Sequence, residues 1–437
     1  MEKHLLSVIS FLFVTVLFSA CGPARQIRKS VRQSDVFNRY FTGFSLYDLR
    51  KQKTVYEQNA DKYFTPASNT KLFTFYTSLK VLGDSVPALK YATRNDSLYF
   101  WGTGDPSLMH PDLKSTAVYS FLQSRPEKLC YVGTPLKINH FGPGWSWDDY
   151  NDYYATERAA MPVYGNVMRF KVQLDKTWEV QPRLFKSYFV EKPLLRRILP
   201  DLPATFLRDP SGNLFTFDST GIRRGFMRDV PFRHTEQLLT EMLTDTLHKP
   251  VSLVTGTPRP PQQTIYSLPV DSLYVRLMQE SDNFIAEQLL LLCASQFSDT
   301  LNTENSIAYA TKTLLNDLPD APIWVDGSGL SRYNLFTPRS MVKLLLKIHA
   351  TIPQERLFRI LPAGGQSGTI KSFYGDEKPY VFAKTGSLSN VHCLSGYVLT
   401  KKGHVLLFSF MHNNYTAPVS EIKREMEKVL RLARDRY

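Results

Sequence analysis

The sequence has few cysteines and no metal-binding motif. Four cysteines occur among 437 residues, and one of them, Cys21, directly follows an apolar N-terminal stretch. If Cys21 is acylated, Cys130, Cys293 and Cys393 remain, and an odd number argues against a disulfide framework in an exported protein. The nine histidines are scattered, and neither C-x-x-C nor H-E-x-x-H occurs. We therefore predict free thiols, no metal centre and no cofactor.

The sequence also lacks a hydrophobic run long enough to cross a bilayer. The run from Leu5 to Ala20 has 16 residues, whereas a membrane-spanning helix needs about 20. Residues 1–20 are therefore predicted to be a signal peptide. Phe18-Ser19-Ala20-Cys21 resembles the lipobox of bacterial lipoproteins, in which the cysteine is acylated; the alternative is ordinary cleavage with no role for Cys21. Either way we expect a periplasmic or cell-envelope protein, in the first case anchored to the membrane by lipid.

Acidic residues are the minority among the charged side chains. The chain has 53 Lys and Arg against 40 Asp and Glu, a formal net charge of +13. Nucleic acid would suit this balance, but there is no long basic run or nucleic-acid-binding motif, and export argues against such a partner. An anionic or carboxylate-bearing partner in the cell envelope fits better.

Both ends of the chain carry predicted strands and helices. Residues 40–58 have the pattern of a β-hairpin, and so do Cys393–Thr400 and His404–Met411 around a polar turn. Amphipathic or apolar helices are predicted from about Ser68 to Leu82 and from Ala417 to about Arg434.

One antiparallel sheet built from the two ends would be covered by these helices. Residues 36–85 and 265–437 are therefore predicted to form one α+β catalytic domain. Residues 86–264 contain strands and a helix of their own, and we predict an inserted accessory domain there.

The first chemical motif is Ser68-x-x-Lys71 at the start of a predicted apolar helix. Residues three apart on a helix share a face, so the two side chains can touch. A serine hydroxyl becomes nucleophilic when a base takes its proton, and a lysine can act as that base when burial or a nearby cation lowers its pKa. Alone, the motif could equally be a capping serine with a solvated lysine.

The second motif, Ser281-Asp282-Asn283, lies between two helical patterns. At such a break, side chains can converge on a cleft; Ser281 could pass a proton to a leaving group, and Asn283 could hold an amide. The structural alternative is a capping segment that begins a helix.

The third motif, Lys384-Thr385-Gly386-Ser387, ends an apolar strand. Lysine and threonine can bind a carboxylate, and the glycine allows a substrate backbone to approach the strand. The backbone N–H groups of Ser387 and Ser68 could form an oxyanion hole. The alternative is a strand-end turn with a solvated lysine.

The chain also contains segments that match two of these patterns by chance. Ser340-x-x-Lys343 and Ser420-x-x-Lys423 match the first, and Ser211-Gly212-Asn213 resembles the second. Their contexts are a capped helix, the charged start of the last helix and an ordinary turn, so we predict structural roles. Chance produces one such motif easily, but rarely three in a fitting order.

Together the three motifs and their flanks resemble the D-alanyl-D-alanine carboxypeptidase/endopeptidase family of low-molecular-mass class C penicillin-binding proteins, peptidase family S13. The resemblance covers nearly all of the predicted mature chain. Serine β-lactamases share the three motifs, whereas the flanks are specific. These flanks are Gly102-Thr103-Gly104-Asp105-Pro106, Gly144-Trp145-Ser146-Trp147-Asp148-Asp149-Tyr150, Ala286-Glu287 after the second motif, Asp326-Gly327-Ser328-Gly329-Leu330-Ser331-Arg332, and Gly364-Gly365-x-x-Gly368-Thr369.

The resemblance implies a β-lactamase/transpeptidase-like fold, with a central antiparallel sheet flanked by helices and an inserted domain. It implies catalytic roles for Ser68 as nucleophile, Lys71 as base, and Ser281, Asn283 and Lys384. Substrate binding would involve Thr385, Gly386 and Ser387. It further implies that Asp148 or Asp149, with Arg332, recognises the side chain of a peptidoglycan stem peptide.

The sequence thus favours a serine D-Ala-D-Ala carboxypeptidase or DD-endopeptidase that acts on peptidoglycan stem peptides and is acylated by β-lactams. A β-lactamase is the first alternative, but no E-x-x-L-N-like element follows Ser68. A non-catalytic envelope-binding lipoprotein is the second, although such a protein need not keep every motif residue.

Overall fold

The structure, a computed structural model, describes residues 22–175, 177–191, 206–217, 223–256 and 260–437. The predicted signal peptide, residues 1–20, and Cys21 lie outside the described residues. Backbone contacts divide the chain into two compact units. The first contains the described residues within Met1–Leu72, Asp317–Trp324 and Asn334–Tyr437, and the second comprises those within Phe73–Asn316 and Val325–Tyr333.

This division does not follow the predicted domain boundaries. The helices that flank Ser281-Asp282-Asn283 were expected in the catalytic domain, but their contacts group them with the second unit. The boundaries 36–85 plus 265–437, with 86–264 inserted, therefore stay a prediction.

The first unit is built on a five-stranded antiparallel sheet in the order β14-β15-β16-β1-β2. Its strands are β1 (Phe41–Asp48), β2 (Lys53–Gln58), β14 (Val381–Leu388), β15 (Val391–Leu399) and β16 (Val405–Asn413). Strands β1 and β16 pair from Phe41↔Asn413 to Asp48↔Leu406. The prediction that both chain ends build one sheet is confirmed.

Helices pack against this sheet and bury its apolar residues. They are α1 (Pro23–Arg32), α2 (Asp35–Arg39), α9 (Pro338–Thr351), α10 (Gln354–Ile360) and α11 (Val419–Arg436). Ile27 and Val31 of α1 share a buried cluster with Phe410 of β16 and Met426 of α11. Burying such side chains contributes about 1.5–3 kcal/mol each, and this packing fixes the sheet that carries the third motif.

The second unit has a mixed five-stranded sheet in the order β12-β5-β4-β3-β13. Its strands are β3 (Ser85–Arg94), β4 (Ser97–Gly102), β5 (Lys128–Val132), β12 (Val251–Val254) and β13 (Gln263–Pro269). Two smaller sheets follow the orders β11-β6-β7 and β8-β10-β9. They comprise β6 (Val167–Val172), β7 (Trp178–Gln181), β8 (Phe189–Glu191), β9 (Phe206–Arg208), β10 (Phe215–Phe217) and β11 (Met227–Pro231).

The helices of the second unit include the pair that flanks the second motif. They are α4 (Ala117–Ser124), α5 (Glu236–Leu247), α6 (Val270–Gln279), α7 (Asn283–Ala294) and α8 (Thr303–Tyr309). Helix α3 (Lys71–Val81) begins in the first unit and continues into the second. None of the helices in the described ranges is long and apolar enough to cross a bilayer.

Candidate active site

Ser68 lies in a short 3-10 turn, Ala67–Thr70, that leads directly into α3. The α-helix was expected to begin at about Ser68, but it begins at Lys71. The residue before the serine, Ala67, has a φ of 48°, a backbone conformation that a side-chain-bearing residue adopts only when its surroundings impose it. The turn holds Ser68 partly exposed, whereas Asn69 and Thr70 are buried.

Lys71 contacts the serine hydroxyl directly. Its Nζ lies 2.9 Å from Ser68 Oγ, within hydrogen-bonding distance, and the lysine side chain is fully buried. An ammonium removed from water is disfavoured relative to the neutral amine. The predicted contact between the first and last residues of this motif is present.

The third motif lies on the edge strand β14 of the same unit. Lys384 is fully buried, and its Nζ donates to the carbonyl oxygen of Thr385 at 2.9 Å. Burial, followed by the nearby charge of Lys71, holds the pKa of Lys384 well below its usual range. The predicted solvated alternative for this lysine is therefore wrong.

Gly386 is required where β14 passes the serine turn. A Cβ atom on it would lie 2.3 Å from the carbonyl oxygen of Pro66 and 2.9 Å from the amide nitrogen of Asn69. The side chain of Asn69 also donates from Nδ2 to the carbonyl oxygen of Lys384 at 2.9 Å. The first and third motifs are thus joined by backbone contact and by a buried hydrogen bond.

The two hydroxyl residues of the third motif have different partners. Thr385 Oγ1 donates to Thr369 Oγ1 at 2.7 Å. Ser387 is exposed, and its Oγ lies 2.9 Å from Nδ1 of His392, a hydrogen bond. Sequence reasoning assigned no role to Thr369 or His392, although Thr369 lies in one of the quoted flanking segments.

The second motif belongs to the second unit. Ser281 lies between α6 and α7, and its φ of 59° marks the predicted break between two helices. Asp282 caps α7 by accepting from the Ile285 amide at 3.0 Å. Asn283 Nδ2 donates to the carbonyl oxygen of Tyr154 at 2.9 Å, so its amide has a fixed orientation.

Asp148 and Asp149 differ in their surroundings. Asp148 is exposed, whereas Asp149 is half-buried and accepts from the Tyr154 hydroxyl at 3.0 Å. Burial, with the charges of Asp148 and Asp152, raises the pKa of Asp149, and the charge of Arg332 opposes that rise. Asp149 is therefore the less exposed of the two aspartates, and the charge of Arg332 acts on it.

Arg332 is carried by a loop with a buried polar scaffold. Asp326, which is 1% exposed, accepts from Trp145 Nε1 at 2.8 Å and from the Gly329 and Ser331 amides at 2.8 and 2.7 Å. Glu287 of α7 accepts from the Ser328 amide at 2.8 Å. Burial, reinforced by Asp326, raises the pKa of Glu287. Both carboxylates lie in the flanking segments named above, but no sequence pattern indicated that they hold this loop.

Two of the segments that match the motifs by chance, Ser340-x-x-Lys343 and Ser211-Gly212-Asn213, make structural contacts of the kind expected. Ser340, in α9, is buried and donates to the carbonyl oxygen of Asp320 at 2.9 Å. Lys343 forms an ion pair with Asp317 at 3.4 Å. Ser211 turns back onto Asp209, whose Oδ1 accepts from the Ser211 amide at 2.8 Å.

Among the described residues, the cysteine, histidine and acidic side chains form neither a disulfide bond nor a metal site. Cys130, Cys293 and Cys393 are free thiols, as expected. No cluster of three or more His, Cys, Asp or Glu among the described residues could hold a metal ion.

Comparison with known proteins identifies relatives over most of the chain. D-alanyl-D-alanine carboxypeptidase DacB of Haemophilus influenzae is 24% identical over 444 residues, which cover 90% of this chain and 90% of the relative. Penicillin-sensitive carboxypeptidase A of Dictyostelium discoideum is 25% identical over 435 residues, covering 84% of this chain and 81% of the relative.

A solved structure shows that the fold is shared. The crystal structure of penicillin binding protein 4 (dacB) from Haemophilus influenzae matches with a TM-score of 0.69 at 20% sequence identity, covering 94% of this chain and 97% of that one. This likeness establishes a penicillin-binding-protein fold of the transpeptidase type, as predicted.

The family profile of the D-Ala-D-Ala carboxypeptidase 3 (S13) peptidases matches residues 24–183 and 236–433. These two segments make up well over half of the chain and contain the three motifs together with Asp149 and Arg332. The chain belongs to the D-Ala-D-Ala carboxypeptidase 3 (S13) family.

Proposed function

We propose that this protein is a serine D-Ala-D-Ala carboxypeptidase that works through an acyl-enzyme on Ser68. Family membership supports the reaction. The observation that carries the choice of residues is the 2.9 Å contact between Ser68 Oγ and the fully buried Lys71 Nζ. A nucleophile in contact with a buried base is the arrangement that acyl transfer requires.

In the proposed acylation, Ser68 Oγ attacks the carbonyl carbon of the penultimate D-Ala while Lys71 takes the hydroxyl proton. The backbone N–H groups of Ser68 and Ser387 stabilise the oxyanion. The C–N bond then breaks, and the proton goes to the amine of the departing D-Ala. Water resolves the ester by the reverse sequence of proton transfers and regenerates the Ser68 hydroxyl.

Lys384, Thr385 and Ser387 are proposed to bind the terminal carboxylate of the substrate. Lys384 is buried and its pKa is depressed, and an incoming carboxylate would favour its charged form. Gly386 allows β14 to lie close against the turn that carries Ser68, so a substrate backbone bound along this strand would lie near the nucleophile. Binding of the carboxylate and protonation of Lys384 are then coupled.

Ser281 and Asn283 are proposed to complete the machinery as the second motif. Ser281 would pass the proton towards the leaving amine, and Asn283 would hold the substrate amide. The fixed orientation of the Asn283 amide, given by Tyr154, is consistent with this positioning role.

Asp149 and Arg332 are proposed to recognise the charged end of the stem-peptide side chain. A diamino acid carries an ammonium and a carboxylate, which suit an aspartate and an arginine respectively. The half-buried position of Asp149 favours it over the exposed Asp148. With the same machinery, attack on a cross-link between D-Ala and the diamino acid would give DD-endopeptidase activity.

We also propose that the protein acts in the cell envelope, where its peptidoglycan substrate lies. Removal of residues 1–20 and acylation of Cys21 would anchor it to the membrane as a lipoprotein. Replacing Cys21 with Ser should then move the protein from the membrane fraction to the soluble fraction after export.

Mass spectrometry after incubation with penicillin tests the assignment. The wild-type protein should gain one covalent penicilloyl adduct on Ser68, and the Ser68→Ala protein should gain none; an adduct on the variant would refute the choice of nucleophile. Purified monomeric and cross-linked muropeptides then distinguish carboxypeptidase from endopeptidase activity. Rapid turnover of nitrocefin would indicate a β-lactamase instead, and no release of D-Ala would indicate a binding protein.

A further inference from the structure

A row of four polar residues crosses the sheet of the first unit. Ser387, His392, His412 and Thr42 are direct register partners on β14, β15, β16 and β1. Directly opposed residues on neighbouring strands lie on the same face of a sheet. Hydrogen bonds join the outer pairs: Ser387 Oγ to His392 Nδ1 and Thr42 Oγ1 to His412 Nδ1, each at 2.9 Å.

The two ends of this row differ in exposure. Thr42 and His412 are buried, and His412 stacks on Phe37 with ring centroids 5.2 Å apart. Ser387, in contrast, is exposed on the edge strand, whereas His392 behind it is only 1% exposed. The row therefore connects a buried interior to a single hydroxyl that a ligand can reach.

The surroundings of His392 determine where its proton lies. Burial, followed by the charge of Lys423, lowers the pKa of His392 to about 3, so the ring is neutral. Its Nε2 is buried and has no hydrogen-bond partner among the described residues. A buried N–H without an acceptor costs more than a bare ring nitrogen, so the proton belongs on Nδ1.

We propose that His392 is a positioning residue. Its Nδ1–H donates to Ser387 Oγ, so the Ser387 hydroxyl is left to donate its own hydrogen bond to the carboxylate of the substrate. With Nδ1 as the donor, Ser387 cannot donate back to the ring, and its proton turns towards the open side of β14. An anionic group is the partner that such a donor suits. This inference rests on the proposed role of the third motif in binding the terminal carboxylate.

The test compares two substrates that differ only at that carboxylate. One peptide ends in D-Ala-D-Ala with a free carboxylate, and the other carries the C-terminal carboxamide. For His392→Phe, which keeps an aromatic ring but loses Nδ1, we expect kcat/KM on the carboxylate peptide to fall about tenfold, the value of one charge-assisted hydrogen bond. On the carboxamide the change should stay within about twofold, and His392→Asn should restore part of the loss.

His412→Phe is the matched control. It removes an equally buried ring from the same row, but its Nδ1 partner is Thr42 and not Ser387. Any loss it causes should be the same for both substrates. In a Ser387→Ala background, the additional His392→Phe change should have no further effect on the carboxylate peptide. The inference would be overturned if His392→Phe lowered kcat/KM equally on both substrates. It would also be overturned if His392→Phe caused its full loss of kcat/KM in the Ser387→Ala background.

A measurement on the wild-type protein covers the case in which the variants do not fold. The ¹⁵N chemical shifts of the His392 ring report which nitrogen carries the proton; a proton on Nε2 would refute the proposal. Failure of the proposed function is distinguishable, because in that case the wild-type protein releases no D-Ala. If the wild-type protein releases D-Ala and His392→Phe has the same kcat/KM as the wild type on both substrates, only the proposed role of His392 is wrong.

Discussion

Arg276 Nε lies 2.7 Å from Asp282 Oδ2, and the same guanidinium reaches Asp112 at 3.1 Å through Nη2. Asp112 in turn pairs with Arg169 at 2.9 Å, and Arg169 pairs with Asp229 at 2.7 Å. A chain of ion pairs thus runs from the middle residue of the second motif to strands β6 and β11. Within the second unit, Arg276 contacts Asp282 directly, and Asp112, Arg169 and Asp229 of the segment predicted as an insertion continue the chain of ion pairs.

Replacing Arg276 with Met should slow acylation of Ser68 by penicillin about fivefold. Partly buried ion pairs hold Asp282, and loss of a capping interaction costs about 1 kcal/mol, which we expect to loosen Ser281 and Asn283. Stopped-flow measurement of the acylation rate checks this. Arg276→Lys keeps a cation near Asp282 and should recover most of the rate.

The control for Arg276 is an ion pair elsewhere, Arg339 with Asp320. Arg339→Met should lower the melting temperature with little effect on acylation. If Arg276→Met lowers only the melting temperature and leaves the rate unchanged, the ion-pair chain supports the fold and does not position the second motif.

Gly386→Ala should damage both stability and acylation. The added Cβ would meet the Pro66 carbonyl oxygen at 2.3 Å, so either β14 or the serine turn must shift. Overpacking of this kind costs about 1–3 kcal/mol. Thermal unfolding and penicillin acylation measure the two effects.

Gly83→Ala is the matched control for this substitution. A Cβ at Gly83 would have nothing within 4 Å, so the melting temperature should stay close to that of the wild type. Equal behaviour of the two alanine variants would show that β14 and the serine turn are not in close contact.

Lys384→Met should make the protein more stable at neutral pH while removing most of its activity. The pKa of Lys384 is lowered in the folded state, so the unfolded chain binds more protons between that lowered pKa and about 10.4, the usual value for lysine. Burying this charge therefore costs stability below the lowered pKa. The cost disappears as the pH rises to the value of the unfolded chain.

Melting temperatures of the wild type and Lys384→Met, measured from pH 7 to pH 10, check this prediction. The stability gained by the variant should shrink as the pH rises. Lys378→Met, at an exposed position, is the control for the loss of a lysine side chain. A gain that is constant with pH would mean that Lys384 is not the source.

Asp149→Asn should reduce kcat/KM for a stem peptide with a free diamino-acid side chain by roughly tenfold, because one charge-assisted contact is lost. The same peptide with an uncharged side chain should be affected much less. Asp148→Asn, at an exposed position, serves as the neighbouring control. If Asp148→Asn gives the larger and selective loss, the assignment between the two aspartates must be reversed.

The sequence predicted the elements that depend on local patterns. Strands β14, β15 and β16 have long apolar runs separated by polar turns, and α11 has a clear helical stripe, so each was placed within a few residues. The sequence also predicted one sheet from the strands of both chain ends, which the pairing of β1 with β16 confirms.

Long-range contacts could not be predicted in the same way. Thr369 meets Thr385, and Glu287 meets Ser328, only because the fold brings distant segments together. The 3-10 turn that precedes α3 lies against β14 in the fold, and no local sequence pattern encodes that contact.

The pairing of β1 with β16 also determines when the enzyme can become active during synthesis. Phe41 must wait for Asn413, which the ribosome adds some 370 residues later. Contacts so distant in sequence form slowly, since the loop between them must close first. The edge strand β14 pairs with β15, and β15 is joined to β1 only through β16. A nascent or truncated chain that lacks β16 should therefore carry Ser68 and Lys71 without the complete five-stranded sheet, and we expect peptidase activity only after β16 has been synthesised.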